Sequence, residues 1–234
     1  MAVAKYNVKV IAKEKPMEGY FLVSFERPQG FDYLAGQYVS IKVSEDGQRR
    51  SYSLASFPED QEKIQLMVDI SPMGPGSVCV MELEVGDTLE ILGPMGRFTF
   101  EETNFGGGVD ELIFVATGSG IVPMRSMIRH LLNQKTEKKL TLHWGMRFEG
   151  PFWEDEFNKL SEDYSNFKFD LVISKPSEAW TGCRGHVTDC LAVYPSLTQK
   201  SYYICGNQHM IMDVSQFLTE RGVPSQNIFF EKFY

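Results

Sequence analysis

The hydrophobic pattern of this chain changes character near residue 110, and that change constrains the fold more than any other feature. Before it lie short alternating or β-branched runs, broken by Gly, Pro and Asp, with no convincing long helical pattern. Val8–Ile11, Tyr20–Phe25, Tyr38–Val43, Lys63–Val68 and Thr88–Ile91 all suit strands. Short strands at this spacing predict a small antiparallel β-barrel. Ser77–Leu83 reads as a short helix across one barrel end, with Ser77 capping its first turn.

After Glu111 strand and helix patterns alternate. Leu112–Ala116 is a buried strand, after which Met124, Met127, Ile128, Leu131 and Leu132 fall on one helical face. The rhythm continues with a strand at Leu140–Trp144, a helical stripe of Trp153, Phe157 and Leu160, and a strand through Phe169, Leu171 and Ile173. Tyr202–Cys205 makes a fourth strand, and a helix carrying Ile211, Val214 and Leu218 is closed by Gly222 and Pro224. Asn227–Phe230 makes a fifth strand. A β-α-β rhythm implies an α/β domain built on a parallel sheet, whose ligands gather at the carboxyl ends of the strands. Glu101–Asp110, with Gly106-Gly107-Gly108 inside it, is the natural boundary, so the expected domains are 1–102 and 109–234.

Composition narrows the class. With 43% hydrophobic and 23% charged residues the chain reads as an ordinary globular protein. No apolar run reaches the ~18 residues of a membrane span, and the N-terminus lacks the apolar core of a signal peptide, so a cytoplasmic location is expected. A formal charge of -8 opposes non-specific attraction to nucleic acid. Cys79, Cys183, Cys190 and Cys205 form no C-x-x-C pair, and the four histidines show no ligand spacing; free thiols and no metal site are expected. His186 reads as a loop or helix-start residue.

Three segments carry the chemistry. In Thr117-Gly118-Ser119-Gly120-Ile121-Val122-Pro123 a buried strand ends, two glycines permit close approach, and Pro123 presets a helical turn. Amides at such a helix start suit a pyrophosphate, although Pro123 stands where the usual G-x-G-x-x-G fingerprint has its third glycine. In Arg50-Ser51-Tyr52-Ser53, Arg50, Tyr52 and Leu54 face one side of a strand while Ser51, Ser53 and Ala55 face the other. An arginine fits a phosphate bidentately, a tyrosine offers a flat surface to a ring, and a serine hydroxyl reaches a ring nitrogen. Cys205-Gly206-Asn207 ends the fourth strand of the second half. Taken alone, each segment is also open to a structural reading.

Together these segments resemble the ferredoxin–NADP reductase-like superfamily. Arg50-Ser51-Tyr52-Ser53 resembles its R-x-Y-S flavin motif, Ala35-Gly36-Gln37-Tyr38-Val39 its G-Q-[YF] strand, and Gly74-Pro75-Gly76-Ser77 its second flavin segment. Gly86-Asp87 and Gly93–Phe98 continue the likeness. In the second half Gly118–Pro123 is similar to the G-[TS]-G-[IL]-x-P loop, Trp180–Val187 to W-x-G-x-x-G-x-V, Cys205-Gly206-Asn207 to the C-G-[PN] turn, and Glu231-Lys232-Phe233 to the terminal E-x-aromatic. Nearly the whole chain is covered.

The resemblance implies a hydride-transfer site split between two domains, with FAD in preference to FMN on the barrel and NADH or NADPH on the α/β domain. It places Arg50 on the flavin pyrophosphate, Tyr52 against the isoalloxazine, and Ser51 and Ser53 beside the ring, Ser53 approaching N5. Met67 and Val68, in the strand before the second flavin segment, and Gly74, Gly76, Ser77 and Val78 complete the flavin set. Val68-Asp69-Ile70 lacks the basic residue often found there, which bears on the adenylate contacts of FAD. Thr117, Gly118, Gly120, Ile121, Pro123, Arg147, Cys205 and Gly206 form the dinucleotide set. Ser53, Cys205 and Glu231 are the residues implied at the reacting centre, and Phe233 or Tyr234 would cover a flavin face. Cys205 is expected to position nicotinamide rather than act as a nucleophile, since nothing nearby in sequence lowers its pKa. Glu231 either tunes flavin protonation or pairs with Lys232.

After the second α/β strand, Glu149 favours the ribose hydroxyls of NADH while Arg147 can bind the 2′-phosphate of NADPH; the balance tips to NADH. No iron–sulfur cysteine cluster is present, so electrons are expected to pass to a separate acceptor: a small redox protein such as a ferredoxin or an oxygenase component, or a small molecule such as free flavin, a ferric complex or a quinone. The rival readings are a non-catalytic nucleotide-sensing module and an electron-input subunit of a larger complex.

Overall fold

A computed structural model of the chain describes residues 3–100 and 109–232. The chain divides into two compact units, Met1–Phe100 with Arg125–Leu131, and Glu101–Met124 with Leu132–Tyr234. The expected boundary at Glu101–Asp110 lies outside the described residues except for Val109 and Asp110.

In the first unit the five predicted strands appear as β1 (Ala4–Met17), β2 (Tyr20–Glu26), β3 (Tyr38–Lys42), β5 (Lys63–Asp69) and β6 (Thr88–Met95), and the Arg50-Ser51-Tyr52-Ser53 segment lies on a further strand, β4 (Arg49–Ser53). They form one antiparallel sheet in the order β4-β3-β6-β1-β2-β5. An antiparallel bridge between Leu54 and Leu66 joins the two ends of that order and closes the barrel. The period-2 pattern explains the interior: Val8, Val10, Val23, Phe25, Val39, Ile41, Leu54, Ile64, Leu66, Val68 and Ile91 make one buried cluster. Each such side chain contributes about 1.5–3 kcal/mol through burial.

Helix α1 (Pro75–Glu82) corrects one expectation: Gly74, not Ser77, is the N-cap, and Ser77 lies buried inside the first turn. Pro75 at the first helical position explains the earlier start, because its fixed φ suits that position and its missing N–H costs nothing there. At the other end Lys13 Nζ donates to the carbonyls of Met81 (2.7 Å) and Leu83 (2.8 Å), supplying a cation at the helix C-terminus.

The second unit is a parallel sheet of β7 (Glu111–Thr117), β8 (Lys139–Met146), β9 (Phe167–Ile173), β10 (Cys183–Arg184), β11 (Lys200–Gly206) and β12 (Ile228–Lys232), in the order β10-β9-β8-β7-β11-β12. Helices α2 (Ile121–Asn133), α3 (Glu154–Asp163), α4 (Val187–Ala192) and α5 (Gln208–Glu220) connect the strands. The sheet has six strands where the pattern shows five: β10 is two residues long, too short for any periodicity to reveal it. The six-residue α4 escaped the pattern for the same reason. His186 is its N-cap, and its amide donates to Asp189 Oδ2 at 2.8 Å. Among the described residues no helix is long and apolar enough to cross a membrane.

Candidate active site

In the first unit, β3–β4 pairing sets which side chains meet. Tyr52 lies opposite Val39 and Arg50 opposite Ile41, so both share the face of core residues; Ser51 and Ser53 lie opposite Ser40 and Tyr38 on the other face. The two faces are treated differently. Arg49 is committed to Glu90 (2.6 Å) and the Ser40 carbonyl (2.7 Å), whereas Arg50 stands exposed and donates to the Arg49 carbonyl (2.8 Å). Ser53 is buried and Ser51 exposed.

The second flavin segment reaches the first at Gly76. A Cβ there would sit 2.1 Å from the Tyr52 hydroxyl and 3.1 Å from Arg50 Cγ, so a glycine is required for α1 to approach that pair. Burial pushes the Tyr52 phenol above its ordinary value, keeping it neutral. Arg50, Tyr52, Gly76 and Ser77 therefore form one cluster: a cation, a ring, and helix-start amides that have no partner within the helix. Val78 differs from expectation, because its amide already closes the first helical turn on Gly74 O at 3.0 Å. Val68 faces the barrel core, so only its main chain remains for a ligand, and Met67 points to the opposite face.

Residues that the sequence did not single out hold the chain following β4. Within the first unit Arg125 Nη1 donates to Ala55 O and Ser126 Oγ to Ser56 O, both at 2.6 Å, and His130 Nδ1 lies 2.7 Å from Glu59 Oε1. These contacts pin the main chain just past Ser53. Their partners are about seventy positions away, so no local pattern announces them.

In the second unit the loop after β7 and the loop after β11 are brought into close contact. A Cβ on Gly120 would sit 2.2 Å from Cys205 O, and one on Gly206, at φ +142°, would sit 2.3 Å from Thr117 Oγ1. Thr117 Oγ1 accepts from the Asn207 amide (3.2 Å), and Asn207 Oδ1 caps α5 by accepting from His209 N (2.8 Å). Thr117, Gly118, Gly120, Cys205 and Gly206 thus share the carboxyl rim of the parallel sheet, where a dinucleotide is expected. Ile121 is less available than expected, since its amide bonds to the carbonyls of Gly118 and Ser119.

Cys205 is fully buried, and burial, with the Glu231 carboxylate second, raises its thiol well above the ordinary value. It is a neutral side chain, unsuited to nucleophilic attack. Glu231 is its register neighbour on β12, while Lys232 lies over the Phe230 ring at 5.6 Å. Arg147 is exposed beside the Phe148 ring, and Glu149 Oε1 accepts from Ser177 N at 2.7 Å, which fixes the loop after β8. In Trp180–Val187, Trp180 Nε1 donates to Cys183 O (3.0 Å) and its ring covers Gly182, while Cys183 and Arg184 join the sheet as β10 and Gly185 N donates to Ile173 O at 3.0 Å. Phe233 and Tyr234 lie outside the described residues.

A cavity of about 970 Å³ opens at the amino end of the same strands, lined by Lys139, Thr141, His143, Asp170, Tyr194 and Lys200. It shares none of the rim residues, so this cavity and the candidate chemistry are separate. All four cysteines are free.

The donor sets fit the groups in question: a cation, a ring and helix-start amides for a flavin diphosphate, and a glycine-rich strand-to-helix turn for a nicotinamide dinucleotide. An antiparallel barrel bearing the first set and a parallel-sheet unit bearing the second define a flavin- and nicotinamide-dependent oxidoreductase fold. Residues 8–100 match the oxidoreductase FAD-binding domain family, and residues 114–216 match the oxidoreductase NAD-binding domain family. Ferredoxin–NADP reductase B of Sorangium cellulosum is 32% identical over 224 residues, 90% of this chain and 90% of that protein. The CDP-6-deoxy-L-threo-D-glycero-4-hexulose-3-dehydrase reductase of Yersinia pestis is 32% identical over 86% of this chain, which spans 60% of that longer relative. Among solved structures, the Amycolatopsis cytochrome P450 reductase GcoB superposes with a TM-score of 0.90 at 24% identity, over 99% of this chain and 70% of that one. The chain belongs to the ferredoxin–NADP reductase-like superfamily.

Proposed function

We propose that the chain takes hydride from a reduced nicotinamide dinucleotide onto FAD and passes electrons to a separate protein acceptor, a small iron–sulfur protein such as a ferredoxin. The observation that carries this reading is that one chain bears both donor sets, Arg50–Tyr52–Gly76 on the barrel and Thr117–Gly120–Gly206 on the parallel sheet. Bound FAD supplies the hydride-accepting chemistry. The likeness to a ferredoxin–NADP reductase over nine-tenths of both chains supports the acceptor class. The flavin domain is residues 1–102 and the dinucleotide domain 109–234.

In this reading Arg50 and the amides of Gly76 and Ser77 hold the flavin diphosphate. Tyr52 presents a neutral ring face, and Ser53 offers a buried hydroxyl to the reacting edge of the flavin. Thr117, Gly118 and Gly120 hold the dinucleotide, while the neutral Cys205 sets the nicotinamide position without bonding to it. Little acid–base chemistry is required; alignment at about 3–3.5 Å provides most of the acceleration. In this reading Glu149 opposes a 2′-phosphate by charge, which favours NADH as the donor.

The test is an anaerobic visible spectrum of FAD-reconstituted protein before and after NADH, then NADPH. Bleaching of the bound-flavin bands supports the reading, and reoxidation by added ferredoxin identifies the acceptor class. Bound flavin that neither coenzyme reduces points instead to the non-catalytic module. Ser53→Ala should slow flavin reduction more than it weakens coenzyme binding; an unchanged reduction rate removes Ser53 from the reacting edge.

A further inference from the structure

Trp144 sits on β8 in register with Ala116 of β7 and is fully buried. Its ring is held nearly edge-on by Phe152 (centroids 5.5 Å, 67°) and Phe157 (6.1 Å, 73°), so the indole has little freedom to swing. Its Nε1–H donates to Gly118 O at 3.1 Å. That carbonyl belongs to the first peptide of the glycine turn after β7, where Gly118 adopts φ +53°. The same oxygen also accepts from the Ile121 amide, which closes the turn.

In a trans peptide the C=O and the following N–H point in opposite directions. Holding Gly118 O toward Trp144 therefore turns the Ser119 N–H the other way. The first amides of such a turn have no partner inside it, and they are the groups a pyrophosphate needs. Phe152, in edge contact with the same indole, follows the Arg147–Glu149 loop that faces the coenzyme ribose in the proposed function. One buried side chain thus contacts both the turn that takes the diphosphate and Phe152, which lies just past the loop that selects the coenzyme.

We infer that Trp144 is a positioning residue for the dinucleotide: its indole N–H fixes the plane of the Gly118–Ser119 peptide and keeps the amides of the turn aimed at the anion. The inference rests on the dinucleotide-binding reading of the β7–α2 turn. A ring that only filled space would be replaced by phenylalanine without loss of binding. A ring that also orients a peptide would not.

The experiment compares wild type with Trp144→Phe, both FAD-loaded, by calorimetric titration with NAD+ and with NADP+, beside thermal melts and stopped-flow flavin reduction. One hydrogen bond to a neutral carbonyl corresponds to a rise of about three- to tenfold in dissociation constant. The expected result is that rise, with the flavin spectrum retained and a smaller change in the saturating reduction rate. Equal dissociation constants in the two proteins overturn the role of Trp144 and leave the dinucleotide reading intact. Wild type that binds neither coenzyme overturns both. Should Trp144→Phe fail to fold, hydrogen exchange of the Trp144 indole proton in wild type decides: slower exchange on adding coenzyme supports the inference, and unaltered exchange overturns it.

Discussion

Gly76→Ala separates flavin binding from folding. Gly76 lies in the first turn of α1 without a positive φ, so its backbone accepts alanine, and helix propensity alone favours the change by up to about 1 kcal/mol. The added methyl would lie 2.1 Å from the Tyr52 hydroxyl, which must move. That hydroxyl is the far end of a side chain, so the displacement costs about 1–3 kcal/mol of overpacking, of which the propensity gain offsets up to about 1 kcal/mol. The apoprotein should therefore stay folded, less stable by at most about 2 kcal/mol. Binding should not survive as well, because Tyr52 and Arg50 both move from the positions that the proposed function assigns to the flavin. Losing a ring contact of about 0.5–1.5 kcal/mol and a charge-assisted hydrogen bond of about 1.5–3 kcal/mol predicts a loss of ~2–4 kcal/mol. That corresponds to about 30- to 1,000-fold weaker FAD binding. Titration of apoprotein with FAD, followed by quenching of flavin fluorescence, measures it, with thermal melts of the same samples. A dissociation constant within about threefold of wild type would refute the assignment of the Arg50–Tyr52–Gly76 cluster to the flavin.

Gly120→Ala should behave in the opposite way, because its methyl meets the Cys205 carbonyl at 2.2 Å and main chain cannot swing aside. A loss of about 3 kcal/mol in denaturant unfolding is expected, and a wild-type midpoint would show that the two loops are not tightly apposed. Glu149→Ala should raise kcat/KM for NADPH relative to NADH by about tenfold, as removal of one repulsive charge predicts. If that ratio stays fixed while Arg147→Ala abolishes NADPH use, the chain is an NADPH enzyme. For Cys205, the folded protein keeps its proton where the unfolded chain, with an ordinary thiol value of 9.0, releases it. Its contribution to stability is complete below that pH and is lost as pH rises above it. Urea midpoints from pH 8 to 10 should fall less steeply in Cys205→Ala than in wild type, and parallel slopes would count against a buried neutral thiol.

Fold and site were unequally legible in the sequence, for a physical reason. Periodicity reports burial, so strands with a wet and a dry face, such as β1 and β6, and the helix stripe of Met124, Met127, Ile128, Leu131 and Leu132 stand out at once. A two-residue strand such as β10 completes no period. The site residues emerged through residue type instead: arginine, tyrosine and serine at alternate positions, and glycines where a strand meets a helix. Type shows what a residue can do but not what stands opposite it. The seat at Gly76 is made by Tyr52 and Arg50, more than twenty positions earlier; the seat at Gly120 is made by a carbonyl at Cys205, far later in the chain. Arg125, Ser126 and Trp144 were missed for the same reason, since each acts on the carbonyl of a remote residue and a carbonyl has no signature in sequence. Val78 and Ile121 show the converse: both lie in a recognisable motif, yet their amides are already taken by the turns that the motif builds. A motif therefore delivers two kinds of residue, those that shape the turn and those the turn presents. Only hydrogen-bond partners separate them, and substitutions at the shaping positions should alter stability and binding together while those at the presenting positions alter binding alone.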